Sequence, residues 1–264
     1  MKISARFLFC IVCLSVAAQA SFKTVMLEPE SEISLPVTCQ GSDSRVQLKD
    51  DQVTVISASG RSYSLNLDEQ SEGLPIMIGS SGEAGKCVLA IKYAENDVNE
   101  SFSLFVFDDQ SGKYKKSAIS TITNPEFSAG KISSNYRDGP VTHNDTLCFS
   151  VKRNDYYVCE AREQFAESIE KKQTCDESSC SESEIVRESG ADPVSAVLVY
   201  EKTYLLNRND DLTFSQRKAY LVRGDKVLLS DYYKSDGGMY YKITYEGKAK
   251  AIGWVPESSL KIDR

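Results

Sequence analysis

His143 is the single histidine of this chain, and Asn144 and Asp145 follow it, with Ser134 a short distance upstream. A serine nucleophile needs a base within hydrogen-bond reach and an acid that orients the base. The residue types are present, but no nucleophile elbow surrounds Ser134, and a polar turn draws on the same residues. We therefore expect no catalytic residue. A metal centre is equally short of ligands, because a lone histidine with scattered acids does not make a three-histidine or histidine-acid set. Neither a metal nor a cofactor is expected. Beside this group, Tyr136-Arg137-Asp138-Gly139-Pro140 reads as a strand entering a turn. Arg137 can receive a carboxylate or a sugar-linked phosphate in bidentate fashion, Tyr136 can stack on an apolar or sugar face, and Asp138 shares the turn with them.

The cysteines carry a different chemistry. Lys2 and Arg6, the apolar run Phe7 to Ala17 and the small residues of Ala18-Gln19-Ala20 have the order of a secretory leader cleaved after Ala20. Removing residues 1–20 takes Cys10 and Cys13 away and leaves Cys39, Cys87, Cys148, Cys159, Cys175 and Cys180, an even set in an oxidising compartment. Six cysteines allow about 15 connectivities. Local pairing is the simplest expectation: Cys39 with Cys87, Cys148 with Cys159 and Cys175 with Cys180. The Cys148–Cys159 bridge would close a hairpin over Arg153-Asn154-Asp155, with Tyr156 and Tyr157 on opposite faces of its second strand. Tyr157 is then a candidate for an interface.

The chain carries a formal charge of −7. Loss of Lys2 and Arg6 with the leader brings the remainder to about −9, which argues against a nucleic-acid partner, since phosphate recognition recruits a basic footprint. No later stretch offers the roughly 20 apolar residues needed to cross a bilayer, so membrane insertion is not expected.

Elements must position these residues, and the pattern that recurs is apolar alternation. It runs through Arg45–Leu48, Gln52–Ile56, Ser62–Leu67, Cys87–Tyr93 and Ser103–Phe107, broken by Gly, Ser and Asp turns. The central runs expose few polar faces and require cover from neighbours, so the first domain, residues 21–173, is an antiparallel β-rich domain. Within it, Ala161, Phe165 and Ile169 recur four residues apart over Glu160–Gln173, which fits a short helix or an extended hairpin. Residues 174–194 are polar and acidic and read as a linker. Residues 195–264 form successive strands separated by short turns. The fold class is all-β.

Two resemblances follow from particular residues. The order of Gly112-Lys113-Tyr114 after a strand, then Asn124-Pro125-Glu126-Phe127, then the Tyr136-Arg137 hairpin resembles a group of bacterial periplasmic propeller-like proteins over about a quarter of the chain. That resemblance implies a propeller-like or rearranged sheet domain, a periplasmic location, and a role in lysozyme inhibition or in immunity to cell-wall-directed toxins. The acidic series of a calcium-binding repeat is missing around Ser81–Tyr93.

The second lies in Ala219–Val227, Tyr240–Ile243, Gly253-Trp254-Val255 and Ser259-Leu260, which is similar to bacterial SH3-like domains. It implies a small SH3-like barrel with a tight turn at Gly224-Asp225 and a wall-targeting or stabilising role. Strand alternation places Tyr240 and Tyr241 on opposite faces. We expect Tyr241 and Trp254 in one core-or-rim cluster and Tyr232 and Tyr233 as more exposed binding candidates. Together the two resemblances imply a non-enzymatic periplasmic protein that inhibits, or gives immunity to, a secreted or periplasmic toxin or hydrolase; passive binding of peptidoglycan is the alternative.

Overall fold

The computed structural model describes residues 23–35, 44–49, 52–67, 76–83, 86–128, 131–188, 190, 192–247 and 249–263. The leader and Cys39 lie outside them. Apart from one 3-10 turn at Glu257–Ser259, every regular element among the described residues is a β-strand, and every pairing is antiparallel.

The first ten strands are β1 (Lys23–Leu27), β2 (Glu32–Ser34), β3 (Arg45–Lys49), β4 (Gln52–Ile56), β5 (Ser62–Ser64), β6 (Ile76–Glu83), β7 (Lys86–Glu95), β8 (Glu100–Asp108), β9 (Lys113–Lys116) and β10 (Ile122–Thr123). Strands β2 to β5 form a four-stranded meander, while β1-β6-β7-β8-β10 form a second sheet to which β9 adds alongside β8. The run Cys87 to Ile91 is apolar at every position because both faces of β7 are covered. Cys87, Leu89 and Ile91 join Phe105 against Val46, Leu48, Val53 and Val55 of the meander. Val88 and Ala90 join Phe102, Leu104 and Val106 on the other face, against Ile122, Ile132, Leu147 and Tyr156. Period-two alternation thus feeds two cores from one strand pair.

A second meander follows: β11 (Glu126–Ser128), β12 (Lys131–Asp138), β13 (Val141–Ser150), β14 (Asp155–Ala166), β15 (Ile169–Thr174) and β16 (Glu184–Arg187), paired in chain order. The β12–β13 hairpin closes through Gly139, at φ 56°, and Pro140, with Asp138 opposite Val141. A proline after a positive-φ glycine selects the II′ form, whose twist suits a hairpin. Cys148 and Cys159 are bridged, as are Cys175 and Cys180. Cys159 is the extra residue where the β13–β14 register shifts. Cys87 is also disulfide-bonded.

One expectation is decided here and a second changes. Of the short helix and the extended hairpin open to Glu160–Gln173, the structure has the hairpin, β14–β15, reversing at Ser168 (φ 62°) with Ala166 opposite Ile169. A spacing of four fits two strand periods as well as one helical turn, and the cross-strand ion pairs of Arg162 with Glu170 and of Lys172 with Glu160 favour the sheet. The 174–194 stretch is not a plain linker. It contains β16, which pairs with β15, and it ends in Val194, which is buried together with Ile185. Its acidic residues form the solvent side of structure whose few apolar side chains point inward.

The last strands are β17 (Ser195–Leu198), β18 (Thr203–Arg208), β19 (Phe214–Leu221), β20 (Lys226–Ser235), β21 (Gly238–Glu246), β22 (Lys250–Pro256) and β23 (Leu260–Ile262), in the order β19-β18-β22-β21-β20-β17-β23. Leu198, Leu205, Leu229, Tyr241, Ile243 and Val255, drawn from five of these strands, meet in one core, so the sheet is strongly curled. Gly253 lets β22 approach β18: a Cβ there would lie 3.0 Å from that of Leu205. Gly224, at φ 89°, turns the chain before Asp225, whose carboxylate accepts the Val222 N–H at 2.9 Å.

Candidate functional site

The register of β20, β21 and β22 sorts the aromatic residues. Tyr232 stands opposite Tyr241, Tyr233 opposite Tyr240, and Lys242 opposite Trp254. Residues directly opposite share a face, so Tyr232 and Tyr241 point inward while Tyr233, Tyr240 and Trp254 point outward. Tyr241 and Trp254 therefore do not form one cluster. Tyr241 belongs to the core, only 1 % exposed.

On the outer face, Phe214 is the hub. Its ring stacks on Tyr240 at 4.2 Å between centroids and lies 5.9 Å from both Tyr233 and Trp254. Arg208, opposite Phe214 across the β18–β19 pair, holds its guanidinium 4.1 Å from the centre of Tyr233 and 5.7 Å from that of Trp254. Trp254 is covered, whereas Phe214, Tyr233 and Tyr240 are half-buried and Arg208 is exposed. An aromatic group flanked by a cation, open to solvent on one side, stacks on flat or apolar ligand faces and accepts hydrogen bonds at its tyrosine hydroxyls. Neither Phe214 nor Arg208 stands out in the sequence. The signal available was the period-two pairing of β18 with β19, which carries both to the Trp254 side.

Tyr232, expected to be exposed, is instead a clasp between the second meander and the curled sheet. Its ring stacks on Phe165 at 3.7 Å, and its hydroxyl donates to Glu163. Lys171 completes the contact with an ion pair of 2.7 Å to Asp231. Burial, followed by the bond to Glu163, pushes the Tyr232 phenol well above its ordinary range.

The remaining predicted residues lie on the second meander. Tyr136 stacks on His143 at 4.4 Å with the rings nearly parallel, and His143 stands opposite Glu163. Burial raises the Tyr136 phenol, helped by the nearby Asp145, Glu163 and Asp138 charges, and burial also raises the Asp145 carboxyl against the opposing pull of His143. Ser134 is buried, and its hydroxyl accepts the Thr123 N–H at 2.9 Å. Arg137 is exposed, but its backbone is held at both N–H and C=O by the Asn99 carboxamide. Asp138 is exposed at the hairpin turn. Tyr157 lies opposite Cys148 with the Arg153 guanidinium 5.3 Å from its ring centre. The structure thus brings Tyr136, Arg137 and Asp138 to one hairpin end, places Tyr157 at another, and gathers Tyr233 and Trp254 on a separate sheet.

Among the described residues, no group of three or more His, Cys, Asp or Glu side chains is placed to hold a metal ion. No protein-family model matches this chain, nor does any curated protein or solved structure.

Proposed function

We propose that this chain is a signal-processed, non-enzymatic binding protein of the bacterial periplasm, which occludes a cell-envelope-directed toxin or hydrolase through the outer aromatic face of its C-terminal sheet. In this reading the curled sheet is an SH3-like barrel and the preceding sheets are a rearranged propeller-like domain. The observation that carries it is the convergence of Phe214, Tyr233, Tyr240 and Trp254 with Arg208 on one face. Tyrosine, tryptophan and arginine are the residues that dominate contact energy at protein interfaces. The disulfides at Cys148–Cys159 and Cys175–Cys180 are consistent with an oxidising compartment. A rigid β surface meets a partner with little ordering cost, and that favours steric occlusion.

The test is affinity capture of periplasmic and secreted proteins on the oxidised mature chain, followed by assay of the captured partner. A saturable partner whose activity falls on binding, and which escapes a Tyr233→Ala/Tyr240→Ala variant, supports the reading. Passive binding to peptidoglycan is the second reading, favoured by the half-buried ring faces of Tyr233 and Tyr240, which suit stacking on sugars. Saturable co-sedimentation with isolated wall material, lost in the same variant and without an inhibited partner, moves the assignment there.

A further inference from the structure

A cleft of about 510 Å3 opens between two hairpin turns, far along the chain from the aromatic face. One wall is the β8–β9 turn with Lys115 and Lys116; the other is the β13–β14 turn with Lys152 and Arg153. In a chain of formal charge −7, four cations converging from two separate hairpins are a local reversal of the overall sign. The volume falls within the range of sites that enclose a small molecule.

The carboxylates that share the cleft serve to build it. Asp108 accepts from Lys115 at 2.5 Å and from the Ser111 hydroxyl and N–H at 2.6 and 3.2 Å, which fixes the β8–β9 turn. Asp155 accepts from the Ser117 hydroxyl at 2.6 Å and from the N–H groups of Ala118 and Tyr156, both at 2.7 Å. These bonds tie the β13–β14 turn to the segment following β9, so the two walls are held in a fixed relation before any ligand arrives. Asn154, at φ 51°, takes the left-handed conformation that asparagine tolerates. It lets the chain reverse with Lys152 and Arg153 exposed on the cleft rim. With Asp109 as the third acid, the lining carries four cations and three carboxylates. The single excess positive charge is met by one oxyanion.

We propose that this cleft binds a small molecule through an oxyanion, a carboxylate or phosphoryl group seated between Lys152 and Arg153 on one wall and Lys115 of β9 on the other. Arg153 offers the planar fork suited to two parallel bonds with such a group, and Lys115 supplies a point charge across from it. The site is separate from the aromatic face, and its ligand does not depend on the partner proposed there.

The experiment is backbone amide NMR of the oxidised mature protein titrated with pyrophosphate or with citrate, each matched in ionic strength by sodium chloride. Saturable shifts are expected in residues 108–116 and 151–155. Saturation by pyrophosphate alone assigns a phosphoryl ligand, and saturation by citrate alone a carboxylate. Lys152→Glu combined with Arg153→Glu is expected to weaken binding by about tenfold or more, while Lys131→Glu combined with Lys218→Glu, which makes the same charge change at exposed strand positions outside the cleft, leaves it unchanged. Should the double reversal disturb the fold, Lys152→Ala must still weaken binding by about threefold. Shifts that merely track chloride, or saturation that survives the loss of Lys152, overturn the proposal.

Discussion

Strands β7 and β8 and strands β20 and β21 are both long antiparallel pairs at the centre of their sheets, yet they use their two faces differently. The first pair is buried on both sides, with Leu89 and Phe105 in one core and Ala90 and Leu104 in another. The second buries Tyr232, Tyr241 and Ile243 on one side and presents Tyr233 and Tyr240 on the other. A pair enclosed by two layers has no surface to offer a partner and acts as the spine that holds the neighbouring sheets. A pair with one open face carries aromatic residues where stability does not demand them, and it is there that the proposed contact surface lies.

The contrast between inner and outer faces gives the largest expected effect. Tyr241→Ala should cost about 3–5 kcal/mol, as truncation of a large buried aromatic does, whereas its neighbour Tyr240→Ala on the outer face should cost about 1 kcal/mol. Urea unfolding of the two variants checks this, and equal losses would dissolve the distinction between the faces. A smaller effect belongs to the clasp. Tyr232→Phe keeps the stack on Phe165 and removes the bond to Glu163, so stability should fall by about 1 kcal/mol. A loss of several kcal/mol instead would mean that the hydroxyl, rather than the ring, holds the two sheets together.

The smallest effect lies at the end of β8. Lys115, and then Ser111, hold the Asp108 carboxyl at about 2, below its ordinary 3.8. The unfolded chain therefore takes up this proton first as the pH falls. The stabilisation is fully present above about pH 4 and is lost as the pH drops through about 2. Asp108→Asn should unfold at a lower urea midpoint than the parent at pH 5, with the two midpoints drawing together between pH 4 and pH 2. A gap independent of pH would show that Asp108 acts there through shape rather than charge.

Much of the β architecture is legible in the residues. The alternation at Gln52–Ile56 and the unbroken apolar run beginning at Cys87 mark β4 and β7, and the run's lack of a polar face already requires cover on both sides. The adjacent bridges Cys148–Cys159 and Cys175–Cys180 follow from short separations across turns. Less was legible where one pattern satisfies two structures. The spacing of Ala161, Phe165 and Ile169 fits a helix and a strand alike, and only cross-strand partners distinguish them. The outer aromatic cluster is hidden for another reason: Phe214 and Trp254 are far apart in sequence, and their proximity depends on the pairing of β18 with both β19 and β22. Adjacent tyrosines 232 and 233 look equivalent in sequence, but the β20–β21 register sends one to a clasp and the other to the surface.

Ile169 and Ile185, contributed by β15 and β16, are fully buried beside Leu205 and Tyr241 of the curled sheet. The C-terminal seventy or so residues are thus not a portable cassette. Gene fusion or recombination at the acidic stretch before Ser195 would hand the new host a sheet missing part of its floor, and would leave the donor with an apolar wound of its own. For this chain, the packed unit runs past the compositional boundary and includes the strands on both sides of it.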